Sequence, residues 1–96
     1  MAGTPEGKLK DKVKLWLKAH GAWYYMPVQT GYGVTGVPDF VGCLDGRMFG
    51  IETKAPGKRA NTTPNQDRVI KQIKDSGGIA AVVDDVSQLE GIFYGL

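Results

Sequence analysis

The sequence is poor in the features that define several large protein classes. It holds a single cysteine, so no intramolecular disulfide can form. Cys43 lies in an apolar run and reads as a small core residue of a protein kept in a reducing, intracellular compartment. No apolar run approaches the ~20 residues needed to span a bilayer. No leader-like segment precedes the first amphipathic stretch, so the expectation is a cytoplasmic protein with no membrane partner. Linkers, repeats and low-complexity tracts are lacking, and 96 residues suffice for one small core, so 1–96 reads as a single domain. There is one histidine. His20 ends a helical stretch just before Gly21, where a cation suits the helix dipole, and it reads as a cap rather than a catalyst. The formal net charge is only +2, which by itself points to no nucleic acid.

What is present is more specific. Val37-Pro38-Asp39-Phe40-Val41-Gly42 opens an apolar run that reaches Leu44, and Asp45-Gly46 is a strong hairpin turn. Met48, Phe49, Gly50 and Ile51 resume the apolar run and lead into Glu52-Thr53-Lys54. Two antiparallel strands follow, and the turn position brings Asp39 opposite Glu52 to within a residue of register. Alternation along the second strand puts Glu52 and Lys54 on one face and Thr53 on the other, leaving the Thr53 carbonyl as a further oxygen ligand. Hard cations such as Mg²⁺ take oxygen ligands, keep several waters and need only one or two carboxylates. Buried carboxylates without partners are costly, so their presence among apolar neighbours marks a site. The chemistry that this set fits is metal-assisted hydrolysis of a phosphodiester, with Lys54 positioning the attacking water and offsetting transition-state charge.

The coarse element order agrees with a compact site. A helix from about Thr4 to His20 carries the apolar stripe Leu9, Val13, Trp16 and Leu17. A strand over 23–28 follows, then the hairpin strands 38–44 and 47–54, a helix over 64–76, a strand over 79–83 and a short helix from about Val86. This αβββαβα order is an α/β sandwich with a mixed sheet. Asp85 is the expected cap of the last helix, with Gln88 closing a box. Thr63-Pro64-Asn65-Gln66 has the form of another capping box, which alone would explain Gln66. Gln66 also shares a helix face with Val69, Ile70 and Ile73, so it points toward the sheet near Glu52 and Lys54. Glu6 falls on the inward face of the first helix, although an acid in a first turn also complements the dipole.

Positive charge is unevenly distributed. Lys8, Lys10, Lys12, Lys14 and Lys18 are expected on the outer face of the first helix, and Arg68, Lys71 and Lys74 line the second. Lys58 and Arg59 directly follow the acidic pair, where a bound phosphate would lie, and are the candidate DNA contacts. Gly31, Gly33 and Gly36 satisfy G-x-G-x-x-G but run into Pro38 and a strand, so no dinucleotide site is read there. Residues 29–35 read as a loop able to close over a substrate backbone. Trp23, Tyr24, Tyr25 and Met26 exceed what one face of an outer strand needs, and read as core or as a self-association surface.

The ordered set Gly36-Val37-Pro38-Asp39-Phe40, Asp45-Gly46-Arg47, Gly50-Ile51-Glu52-Thr53-Lys54-Ala55-Pro56 and Thr63-Pro64-Asn65-Gln66 resembles the PD-(D/E)XK nucleases. Within them it resembles the virus-type replication-repair nuclease (VRR-NUC) domain in its stand-alone, phage-like form. The resemblance implies the restriction-endonuclease-like αβββαβα fold and a Mg²⁺- or Mn²⁺-dependent DNA endonuclease. It implies Asp39 and Glu52 as metal ligands, Lys54 as catalytic, Gln66 in the active site, and an acidic residue from the first helix, here Glu6, as a further ligand. By analogy it also implies a homodimer acting on branched DNA such as four-way junctions. Two other readings are a binding or assembly module whose carboxylates are structural, and a Mg²⁺-dependent phosphohydrolase of nucleotides. The second is disfavoured, since no phosphate loop or aromatic pocket is evident.

Overall fold

The computed structural model describes residues 3–28 and 35–95. In chain order these form α1 (Pro5–Ala19), β1 (Trp23–Tyr25), β2 (Phe40–Leu44), β3 (Arg47–Thr53), α2 (Pro64–Asp75), β4 (Ile79–Val83) and α3 (Gln88–Tyr94). The expected αβββαβα order is therefore found. The strands make one mixed sheet in the order β1-β2-β3-β4, antiparallel across the first two pairings and parallel across the last.

Local chemistry sets each element. The Thr4 side chain accepts the Gly7 N–H at 3.0 Å and Pro5 opens α1, so the first turn is closed on both counts. Asp45 and Gly46 have φ of 52° and 79°. Two consecutive positive φ values make the two-residue turn whose twist matches a hairpin. That turn fixes the register, with Leu44 opposite Arg47 and Phe40 opposite Ile51. Thr63 caps α2 with both arms of a capping box.

Three expected boundaries shift by two residues or more: β2 begins at Phe40 instead of 38, leaving Pro38 and Asp39 ahead of the strand, and β1 and α3 are shorter than expected. β1 stops at Tyr25 instead of reaching Val28, because Pro27 has no N–H to donate to a ladder. α3 begins at Gln88 instead of Val86. The Asp85 carboxylate accepts the Ser87 N–H at 2.9 Å and the Ser87 hydroxyl, closing an Asx turn ahead of the helix. Gln88 still reaches back, its side-chain oxygen accepting the Asp84 N–H at 3.0 Å.

The sheet's two faces are covered unequally. Phe40, Leu44, Phe49, Ile51, Ile79 and Val83 pack beneath α1 and α3, against Leu9, Val13, Leu17 and Leu89. α2 lies on the other face, over β3 and β4. The outer part of that face, on β1 and β2, is left open. Trp23 is 66% and Tyr25 51% exposed, while Tyr24 turns inward onto Phe40. Cys43, expected in the core, is exposed as well. It pairs with Trp23 on one side and Met48 on the other, so alternation carries it onto the open face while Gly42 and Leu44 turn to the core. None of the described helices is long and apolar enough to cross a membrane.

Candidate active site

Four elements converge at the C-terminal end of β3. Continuing the β2–β3 register one residue past the Phe40–Ile51 pair sets Asp39 opposite Glu52. Asp39 precedes the first residue of β2, so its side chain is not bound to the alternation of a strand. Its Oδ2 accepts the Thr53 N–H at 3.0 Å and the Thr53 hydroxyl at 2.6 Å. The sequence assigned Thr53 only a carbonyl. Its fully buried side chain proves to be a direct support of Asp39.

Glu52 is only 5% exposed. Its Oε2 accepts the Gln66 Nε2–H at 3.0 Å and lies 3.6 Å from the Lys54 ammonium. Its Oε1 is buried with no hydrogen-bond partner among the described residues. Burial first, and then repulsion from Asp39, push the Glu52 carboxyl up to about 7 against the opposing pull of Lys54.

Gln66 serves two neighbours at once, since an amide has an acceptor end and a donor end. Its Oε1 accepts the Thr63 N–H at 3.0 Å, completing the helix cap, while its Nε2 holds Glu52. The cap and the site are therefore not competing explanations of this residue. Gly36 brings the preceding segment against the same helix start. Its φ is +79°, and a Cβ there would lie 2.5 Å from the Asn65 carbonyl and 2.8 Å from the Gln66 nitrogen. Gly36→Ala is expected to lower stability by about 2–3 kcal/mol, combining left-handed strain with displacement of backbone that cannot yield cheaply. Urea unfolding measures it, and a loss below ~0.5 kcal/mol would mean the segment and α2 are not in contact.

Lys10 corrects the sequence reading, which placed it in the outer row of lysines. Its ammonium lies 2.6 Å from Glu6 Oε2 and 3.5 Å from Asp39 Oδ2, and its side chain is 25% exposed. Burial would lower its pKa, but the Glu6 and Asp39 carboxylates outweigh burial and raise it. The signal was available: Lys10 is one helical turn beyond Glu6, so an inward Glu6 carries Lys10 inward too. Lys8, Lys12 and Lys18 are exposed as expected, and Lys14 pairs with Asp11 at 3.8 Å. Glu6 itself reaches Asp39 only through Lys10. Among the described residues, no group of three or more His, Cys, Asp or Glu side chains is placed to hold one metal ion.

Lys58 and Arg59 sit exposed in the turn that follows β3. That turn is closed by the Lys58 N–H on the Ala55 carbonyl at 2.9 Å and anchored by the Gly57 N–H on Asp84 at 3.0 Å. Hydrogen bonds from Gln88 and Gly57, and more weakly the Arg59 charge, hold the Asp84 carboxyl below the usual range. His20 caps α1 at its far end, stacked on Trp16 with ring centroids 3.7 Å apart and 3.5 Å from Glu90. Most of the loop expected to close over substrate, including Gly31 and Gly33, lies outside the described residues.

This geometry suits a hard divalent cation. Two carboxylates come from cross-strand neighbours close enough for one to repel the other, one buried oxygen has no hydrogen-bond partner among the described residues, and an ammonium stands beside Glu52. No family model and no curated protein matches the sequence. Solved structures do. One, a "VRR_NUC domain protein", superposes with a TM-score of 0.70 over 99% of this chain and 89% of its own, at 17% identity. Another, a "VRR_NUC domain", superposes with a TM-score of 0.72 over 96% of this chain and 99% of its own, at 26% identity. The first shows a shared restriction-endonuclease-like fold; the second adds sequence similarity over almost the same length. Fold, extent and the ordered Asp39, Glu52-Thr53-Lys54 and Gln66 motif agree, and over nearly its whole length the chain is similar to small VRR-NUC domains.

Proposed function

We propose that this domain is a divalent-metal-dependent DNA endonuclease that hydrolyses phosphodiester bonds. The observation that carries the reading is Glu52 Oε1, a buried carboxylate oxygen with no hydrogen-bond partner among the described residues, on a group whose ionisation the fold resists. Such an atom is unfavourable in a purely structural carboxylate and is what a cation ligand requires. Asp39 and Glu52 would hold Mg²⁺ or Mn²⁺, with the Thr53 carbonyl as a further oxygen and Glu6 supporting from α1. A bound ion of this kind supplies the Lewis acid that polarises the phosphodiester.

The rest of the chemistry falls to the chain's own groups. Lys54, 3.6 Å from Glu52, orients a water for attack and offsets the negative charge that grows on the phosphoryl oxygens. Gln66 fixes the Glu52 rotamer through its Nε2–H, and Thr53 does the same for Asp39 through two hydrogen bonds. Lys58 and Arg59 contact flanking phosphates as exposed cations next to the site. We assign the open face around Trp23 and Tyr25 to contact with a second copy, which would present two sites to opposed strands of a branched DNA. The lone cysteine suits action in the reducing cytoplasm.

The test is cleavage of supercoiled plasmid, linear duplex and a four-way junction by purified protein. Mg²⁺ or Mn²⁺ should support strand scission and EDTA should stop it. Wild-type protein that leaves all three substrates intact at millimolar Mg²⁺ and Mn²⁺ would sink the enzyme reading.

A further inference from the structure

We propose that Lys10 is a built-in counter-cation of the metal site, its ammonium holding Glu6 and Asp39 together until a divalent ion takes its place. This rests on the proposed metal site at Asp39 and Glu52. The ordinary role of a Glu-to-Lys pair spaced i, i+4 is weak support of an exposed helix face. Such a pair needs no third partner. Here the same ammonium that lies 2.6 Å from Glu6 also lies 3.5 Å from Asp39, on a different element and next to a buried glutamate. Among the lysines of α1, Lys10 alone bridges two carboxylates in this way within the described residues.

The charge arrangement explains the bridge. Glu6, Asp39 and Glu52 bring three carboxyl groups to one end of the sheet, and Lys10 and Lys54 bring two ammonium groups. Each lysine is matched to one end of the cluster, Lys54 on Glu52 and Lys10 on Asp39 with Glu6. Asp39 Oδ2 is already engaged by the Thr53 N–H and hydroxyl as well as by Lys10. A dication binding Asp39 would share that carboxylate with an ammonium, and two cations on one carboxylate repel. The lysine is the partner that can leave, because its head sits on a flexible four-carbon stem and is partly exposed. Its withdrawal also frees Glu6, which reaches Asp39 only through it. The ammonium therefore keeps the carboxylates assembled without metal, and in doing so weakens the affinity for metal.

Mn²⁺ binding to metal-stripped protein, followed by titration calorimetry and by the loss of the free-ion paramagnetic resonance signal, tests this. Lys10→Met keeps the stem and removes the charge, and it should bind Mn²⁺ roughly tenfold more tightly than wild type. Lys10→Arg keeps a cation and should stay within about threefold of wild type. Without metal, Lys10→Met should melt below wild type, and saturating Mn²⁺ should close the gap. A merely structural salt bridge predicts the same melting deficit with and without Mn²⁺ and no tighter binding. Equal or weaker Mn²⁺ binding by Lys10→Met overturns the role of Lys10 while leaving the metal site standing. Wild-type protein without saturable Mn²⁺ binding, or binding that Glu52→Gln does not weaken, overturns both.

Discussion

Glu52→Gln is expected to abolish metal-dependent cleavage and, at pH 8 in EDTA, to make the protein more stable than wild type by about 1–2 kcal/mol. The two effects have one cause. The Glu52 carboxyl is pushed from its ordinary 4.5 up to about 7, chiefly by burial and then by Asp39. In the unfolded chain it ionises near its ordinary value. Below both values the group is protonated in either state and contributes nothing. As pH rises between them, the unfolded chain releases its proton first, so the folded state loses stability progressively. Above about 7 the full penalty is present. The displacement corresponds to at most ~3.5 kcal/mol, and the smaller expected gain reflects Lys54 losing its partner on substitution. Gln is nearly isosteric, and its carbonyl can still accept from Gln66.

Urea unfolding of both proteins in EDTA measures this directly. The variant should lead at pH 8, and its lead should shrink toward zero near pH 4. Saturating Mg²⁺ or Mn²⁺ should raise the wild-type melting temperature at pH 8 and leave the variant unmoved. A variant that is less stable than wild type at pH 8 would mean that Glu52 is a structural anion, satisfied as it stands. The same sign fixes the pH dependence of loading. Protons compete with the cation for Glu52, so affinity should fall as pH drops below about 7.

Lys54→Met is the second large effect, an expected fall of about 10²–10³-fold in single-turnover cleavage of a four-way junction. The methionine preserves the stem, which is mostly buried, the Lys54 side chain being 17% exposed, so folding should survive. DNA affinity should change by less than ~3-fold, because the proposed phosphate contacts Lys58 and Arg59 are untouched. Lys54 also lowers the Glu52 pKa. Its removal should move the pH at which Mn²⁺ binding is half-maximal upward, a change that loss of a transition-state contact alone would not produce. Cleavage within tenfold of wild type would remove Lys54 from the chemistry.

Much of this was legible in the chain because the hairpin is locally determined. Asp45-Gly46 dictates the turn, the turn dictates the register, and the register sets Asp39 against Glu52 without any long-range information. The helix caps and the αβββαβα order are read for the same reason. Periodicity failed where tertiary coverage decides the outcome. An alternating strand declares that Cys43 and Leu44 face opposite ways but not which face a helix will cover, and α2 reaches only β3 and β4. Lys10 escapes a reading that equates charge with solvent, although its spacing from Glu6 places it at the inward edge of the helix. The Thr53 hydroxyl is not legible from alternation, which turns it away from Glu52 and says nothing of Asp39, a residue just outside the strand whose carboxylate is free to reach it.

Gln66 has the most general consequence. One amide closes the first turn of α2 and holds the buried glutamate in place, so fraying of that turn and loss of the Glu52 support are a single event. Competence of the site is thereby tied to a local opening equilibrium, and the amide protons of Gln66 and Asp67, bonded to the Thr63 side chain and carbonyl, exchange with solvent on the schedule set by that opening. Cation and substrate, by favouring the closed turn, would slow the exchange of amides that neither of them touches.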